Sequence, residues 1–251
     1  MTDSTFKDHF SQTASGYARF RPRYPAALFD WLAAIAPSSQ QAWDAGTGNG
    51  QAATALAERF QRVVATDASP DQLSHAAQHP RVAYRVARAE TSGLPAASCD
   101  LVTAAQALHW FDPAGFFAEA RRVLRPLGAI AVWSYIDPEI TDSRVNEVLQ
   151  DFSRQVRGDW PAERVLAETG YRTLDFPFAE LEPPALHLEL EPTAEELCGY
   201  LRTWSATWRY IRRTGNDPVT AVAERLEPLW PAGARKLLRW PLLIRAGVNR
   251  V

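Results

Sequence analysis

The chain of 251 residues has a net charge of −2, with 46% hydrophobic and 22% charged residues, a profile that suits a globular protein with a sizeable core. That balance excludes the broad basic footprint of a nucleic-acid binder, and no apolar run approaches the roughly 20 residues of a membrane helix. The start, MTDSTFKDHF, has no basic-then-apolar leader, and Cys99 and Cys198 lack metal spacing, so a cytoplasmic, metal-free protein with two buried thiols is expected. Lysine occurs only at Lys7 and Lys236; base composition explains this best, so an arginine cluster alone is weak evidence of an anion site.

In chain order, residues 1–40 are expected to form N-terminal cap helices. Ala42–Trp43 leads a first strand into the turn WDAGTGNG, and Gln51 to Phe60 reads as an alanine-rich helix. RVVAT, Arg62 to Thr66, is a buried strand ended by Asp67. Ser69 caps the next helix, Pro70 suits its first turn, and Leu73, Ala76 and Ala77 form its inward stripe. Val82 to Val86 and Asp100 to Ala105 follow as strands, the second with the apolar character of a strand covered on both faces. Asp112 and Pro113 open a helix carrying Phe116, Phe117, Ala120, Val123 and Leu124 at helical spacing, stopped by Arg125-Pro126-Leu127-Gly128. Ala129 to Tyr135 is a fifth strand. This alternation implies crossover units, a parallel sheet and a doubly wound α/β fold.

Beyond Tyr135 the pattern weakens. Ser143 to Val156 reads as a helix, Leu186 to Leu190 as a strand, and Thr193 to Arg213 as one or two helices with Thr193 and Glu196 in capping-box positions. Pro218 to Leu229 is a further helix and Leu237 to Val248 a last strand. One domain is expected over 1–251, with a core at 41–135 and a helical cover with the last strands at 136–251.

The turn decides the ligand. A dinucleotide fingerprint places its third glycine where Gln51 stands, whereas the glycines here are Gly46, Gly48 and Gly50, behind Asp44. The lysine-serine/threonine ending of a phosphate-binding loop is also missing. Asp67, 21 residues after Gly46, ends the second strand, where a carboxylate can accept from both hydroxyls of a ribose; its bland alternative is a helix-capping role beside Ser69.

This D-x-G-x-G-x-G pattern resembles that of the class I S-adenosylmethionine-dependent methyltransferases. So does ARAETSGLPAASCDLVTAAQALHWFD, Arg88 to Asp112, which is similar to their A-E-x-x-x-L-P segment and fourth strand. FFAEARRVLRPLGAIAVWSY is similar to the following segment, with Leu127 where a glycine is usual. The resemblance implies a Rossmann-like, mostly parallel sheet of about seven strands with the last antiparallel. It implies S-adenosylmethionine as cofactor and S-adenosylhomocysteine as product, with no metal. Asp44 would hold the ligand's amino group, and Gly46, Thr47, Gly48 and Gly50 would pass beside it. Asp67 and Ala68 belong at the ribose, Ala89 and Glu90 at the adenine, and Gln106 near the methionyl group or the sulfonium. Arg21 is a candidate for the cofactor's or the acceptor's carboxylate.

SGYARFRPRYP, Ser15 to Pro25, and GYLRTWSATWRYIRRTGNDP, Gly199 to Pro218, resemble the small-molecule branch that includes the trans-aconitate methyltransferases. A carboxylate acceptor is already an anion and requires no base, only cations to orient it. Tyr17, Arg202, Trp110 and Trp204 are the substrate-side candidates on that reading, beside Arg19, Arg23, Tyr24, Arg209 and Tyr210. For most of these arginines a solvated or tryptophan-packed stem is the plainer role. The alternative is an O- or N-methyltransferase of another metabolite with His109 as general base; His109 would otherwise only wall the pocket. A nucleotide-linked oxidoreductase and a silent ligand binder are the remaining readings. The expected partner is a small-molecule acceptor, with no nucleic acid and no membrane, in a monomer or homodimer.

Overall fold

The computed structural model describes residues 22–250. A first helix, α1 (Ala26–Ile35), buries Leu28, Phe29 and Leu32. Then β1 (Gln41–Ala45), α2 (Gln51–Ala57), β2 (Arg62–Asp67), α3 (Pro70–Ser74), β3 (Val82–Val86), β4 (Cys99–Ala105), α4 (Pro113–Val123) and β5 (Leu124–Ser134) alternate as the patterning demands. The remainder comprises α5 (Ser143–Val156), α6 (Arg164–Glu168), β6 (Ala179–Leu181), β7 (His187–Leu190), α7 (Ala194–Arg202), α8 (Ser205–Thr214), α9 (Pro218–Leu226), β8 (Leu238–Pro241) and β9 (Leu243–Val248).

The main sheet has seven strands in the order β3-β2-β1-β4-β5-β9-β6. Strands β1 to β5 run parallel, and β9 lies antiparallel to β5. The order reverses between β1 and β4, so their carboxyl ends part and leave the crevice where open α/β sheets take ligands. Both faces are covered, which is why β4 is buried along almost its whole length. On one face lie α1, α2 and the cover helices, with Trp133, Phe152, Trp204, Trp230 and Trp240 in one core. On the other, Phe116 and Phe117 of α4 join Trp43, Tyr171, Phe176 and Phe178.

Several expectations are corrected. Leu237 to Val248 is two strands, not one: β8 pairs with β7 in a separate two-stranded sheet, and the chain passes at Leu242 into β9 of the main sheet. Pro241, with no N–H to give a ladder, sits at that junction. The helix from Gln51 ends at Ala57, and the one after Ser69 spans only Pro70–Ser74 with Ala77 exposed, although Ser69 caps it as expected, accepting from the Gln72 amide at 3.3 Å. Strand β5 begins at Leu124 rather than Ala129. Strand β6, three residues between prolines, has too little sequence to show its period. Thr193 and Glu196 form the capping box reciprocally, at 3.2 and 2.9 Å. Leu127 has φ +62, which explains why glycine suits that place. Among the described residues, no helix is long and apolar enough to cross a membrane, and no group of His, Cys, Asp and Glu could hold a metal.

Candidate active site

At the carboxyl end of β1, Asp44 is wholly buried. One of its oxygens accepts from the Thr47 hydroxyl at 2.6 Å and the other from the Thr103 hydroxyl at 2.7 Å. Burial, with the nearby charge of Asp67, pushes its pKa up to about 6, against the pull of the two hydroxyls. A buried carboxylate held by hydroxyls alone keeps its charge only at a cost. A cation at this place would remove that cost.

The turn after it is fixed from β2. The Thr47 amide donates to the Thr66 carbonyl at 3.0 Å, and the Gly48 amide donates to Asp67 Oδ2 at 2.9 Å. Asp67 Oδ1 accepts from the Ser69 amide at 2.9 Å. Asp67 thus ties the glycine turn to the start of α3, so both the ribose position and the capping role suit it. Gly46, Gly48 and Gly50 all have positive φ, at +65, +54 and +81, but they differ in what surrounds them. A Cβ at Gly46 would stand 2.7 Å from Ala107 Cβ and 2.8 Å from the Phe111 ring, and one at Gly50 would strike the Tyr84 hydroxyl. At Gly48 the nearest atom is Gln72 Oε1 at 3.7 Å. The protein itself fills the space beside two of the glycines; only Gly48 faces open room.

Gln106 follows β4 with φ +54, a strained conformation for a residue with a side chain. Its carboxamide clasps the backbone of Tyr135 on both sides, accepting from that residue's amide and donating to its carbonyl, each at 2.9 Å. This clamp holds the carboxyl ends of β4 and β5 at a fixed spacing. Ala89 is buried. Glu90 accepts from the Asp112 amide at 2.8 Å and pairs with Arg88 at 3.2 Å.

His109 lies in the short 3-10 turn Leu108–Trp110, against which α6 packs. Its Nδ1 is 3.1 Å from the Tyr171 hydroxyl. Burial first, then the nearby Arg164 charge, push its pKa down to about 4. At that value the ring is neutral at pH 7 and its affinity for a proton is weak. Arg164 itself lies 3.7 Å over the Trp160 ring and pairs with Asp137 at 2.8 Å and Glu168 at 2.9 Å. Trp110 is partly exposed beside His109, with ring centres 4.7 Å apart.

The two remaining substrate-side candidates receive other neighbours. Arg202 pairs with Asp217, the cap of α9, at 2.9 Å. Trp204 is buried against Phe152, Trp160 and Tyr200 in the cover, as a large aromatic serves wherever it packs. Tyr17, Arg19 and Arg21 lie outside the described residues. The structure brings together Asp44, the glycine turn, Asp67, Gln106 and His109 at the strand ends. It adds Thr103, Tyr135, Tyr171 and Arg164, which sequence reasoning missed. Thr103 alone left a signal, a hydroxyl within the apolar stretch Leu101–Ala105 of β4.

Residues 43–132 match the family model described as a methyltransferase domain. A Dictyostelium discoideum protein named as a candidate methyltransferase is 30% identical over 229 residues, covering 90% of this chain and 87% of that one. A solved structure from Anaeromyxobacter dehalogenans, described as a candidate type II methyltransferase, is 47% identical with a TM-score of 0.87, covering 92% of this chain and 98% of that one. The fold is also that of Haemonchus contortus phosphoethanolamine N-methyltransferase 2 bound to S-adenosylhomocysteine, at 18% identity and a TM-score of 0.53, covering 99% of this chain and 61% of that one.

Proposed function

Because the chain belongs to the class I S-adenosylmethionine-dependent methyltransferases, we propose that it methylates a carboxylate oxygen of a small organic acid, as the resemblance to the trans-aconitate branch implies. The cofactor, when bound, supplies an electrophilic methyl group on a sulfonium. The residues present fit it: Asp44 is a buried carboxylate with no cation of its own in the bonds described above, and Gly48 leaves room beside it. Asp44 holds the ammonium of the methionyl end, Asp67 and Ala68 take the ribose, Ala89 and Glu90 the adenine, and Gln106 the methionyl side. Thr47, Gly46 and Gly50 shape the turn between them.

What supports the acceptor class is the setting of His109, a half-buried ring with its Nδ1 3.1 Å from the Tyr171 hydroxyl and near the Arg164 charge, which lowers its affinity for a proton. In-line displacement at a sulfonium needs aligned atoms and excluded water. A phenol or ammonium acceptor needs, besides, a group to take its proton near pH 7; a carboxylate does not. With Arg202 held by Asp217, the orienting cations are assigned to the Ser15–Pro25 segment, Arg21 foremost, and Tyr17 and Trp110 are kept as the acceptor-side candidates that the resemblance implies.

The test is transfer of label from S-adenosylmethionine to a panel of di- and tricarboxylates, set beside phenols and amines. Esters formed from acids alone are expected; turnover of a phenol or amine with no acid methylated would overturn the proposal. A second measurement bears on His109. His109→Gln is expected to leave the shape of the pH-rate profile between pH 6 and 8 unchanged, since a group titrating near 4 contributes no leg there. Loss of an acidic leg near pH 6.5 in the variant would reinstate the base.

A further inference from the structure

Among the described residues, two buried side-chain donors have no acceptor, the indole Nε1 groups of Trp133 and Trp240. An orphaned buried donor costs about 1–3 kcal/mol, and each such group calls for a cause. The two tryptophans stand in different places. Trp240 belongs to β8 and packs edge-on against Tyr200 of the cover, with ring centres 5.6 Å apart. Trp133 is the next-to-last residue of β5, and its carbonyl accepts from the Gln106 amide at 2.8 Å. It therefore lies level with the strained residue at the mouth of β4, two positions before the Tyr135 that Gln106 clamps.

Its surroundings point the same way. The Trp133 ring is completely buried and meets Tyr24 edge-on at 5.5 Å; Tyr24 in turn stands 6.3 Å from the Tyr135 ring. Tyr24 is the next-to-last residue of the Ser15–Pro25 segment assigned above to the acceptor. An indole N–H donates and cannot accept, so the partner it lacks is an atom with a free lone pair. With the Gln106–Tyr135 clamp on one side and Tyr24 on the other, the place suits a lone pair supplied by a bound molecule.

We propose that the Trp133 indole N–H donates a hydrogen bond to an oxygen of the methyl acceptor, in a subsite walled by Tyr24 and Tyr135. The inference rests on the methyl-transfer reading but not on the acceptor being an acid. Trp133 is a positioning residue on this account, and the Trp240 indole, away from the strand ends, is its internal control.

The experiment uses the full chain with indole nitrogens labelled, loaded with S-adenosylhomocysteine and titrated with trans-aconitate and then with each compound the wild type methylates. Trp133→Phe and Trp240→Phe assign the two resonances; where either variant fails to fold, correlation to the strand backbone assigns them instead. The Trp133 indole signal is expected to shift with a methylated compound while that of Trp240 stays. Trp133→Phe is expected to raise the acceptor KM about tenfold, the scale of one hydrogen bond to a charged oxygen, with cofactor affinity unchanged. A Trp133 signal unmoved by a compound that is turned over, or a KM within twofold of wild type, would overturn the inference. Methylation of phenols or amines only would remove the carboxylate reading and leave the Trp133 signal with those compounds as the deciding one. A panel in which nothing is methylated would remove the methyl-transfer reading and this inference with it.

Discussion

Asp44→Asn is expected to stabilise the ligand-free protein at pH 7 by about 2–3 kcal/mol while weakening S-adenosylhomocysteine binding at least tenfold. The sign follows from the raised pKa. Folding moves the Asp44 pKa from 3.8 to about 6, so between those values the folded chain holds more protons than the unfolded one. Stability therefore falls as pH rises through that window, and the full penalty of the buried charge stands above pH 6. Asparagine is neutral and can still meet the Thr47 and Thr103 hydroxyls, so the penalty goes. What it cannot do is balance an ammonium. In the wild type, affinity for the product cofactor is expected to drop as pH falls through about 6, where Asp44 takes up its proton; in the variant that dependence disappears. Chemical denaturation of both proteins and calorimetry from pH 5 to 8 check this. A less stable variant that binds as tightly as wild type would show that Asp44 only holds the turn together.

Gly46→Ala and Gly48→Ala are expected to fail in different ways. At Gly46, a side chain adds the strain of φ +65 to contacts of 2.7 and 2.8 Å with Ala107 and Phe111. Left-handed backbone costs roughly 1–2 kcal/mol and overpacking roughly 1–3. A stability loss of about 2–5 kcal/mol follows, a fall in Tm of roughly 5–15 °C for a chain of this size. At Gly48 only the backbone strain applies, since the nearest atom is 3.7 Å away. Its Tm should fall by a few degrees, on the order of 1–2 kcal/mol, while the product cofactor binds at least tenfold more weakly because the methyl group occupies the open side of the turn. Thermal melts with and without the product cofactor separate the two. Equal stability losses, or unimpaired binding by Gly48→Ala, would mean that the open side of the turn faces no ligand.

Much of the site was legible because its signals are local. Asp44 is next to last in β1 and Asp67 ends β2, and a carboxylate at such a place is visible in the string of residues. Ser69, Asp112 and Thr193 cap helices as their side chains allow. Other roles depended on partners far away in sequence. That Arg202 meets Asp217, and that Trp204 packs on Phe152 and Trp160, follows from how the cover helices lie on one another. The weak basicity of His109 needs the burial and the Arg164 charge that α6 brings to it, and α6 stands 55 residues later (Arg164 against His109).

The order of the amino acids determined by itself the alternation of strand and helix, the bare-backbone turn and the two acids that flank it. These rest on steric and periodic rules acting over a few neighbouring residues. Tertiary structure alone decided which glycine faces open room, which indole is left without an acceptor, and what proton affinity a buried side chain keeps. Those depend on desolvation and on atoms delivered by distant segments, and neither quantity exists until the chain has closed around them.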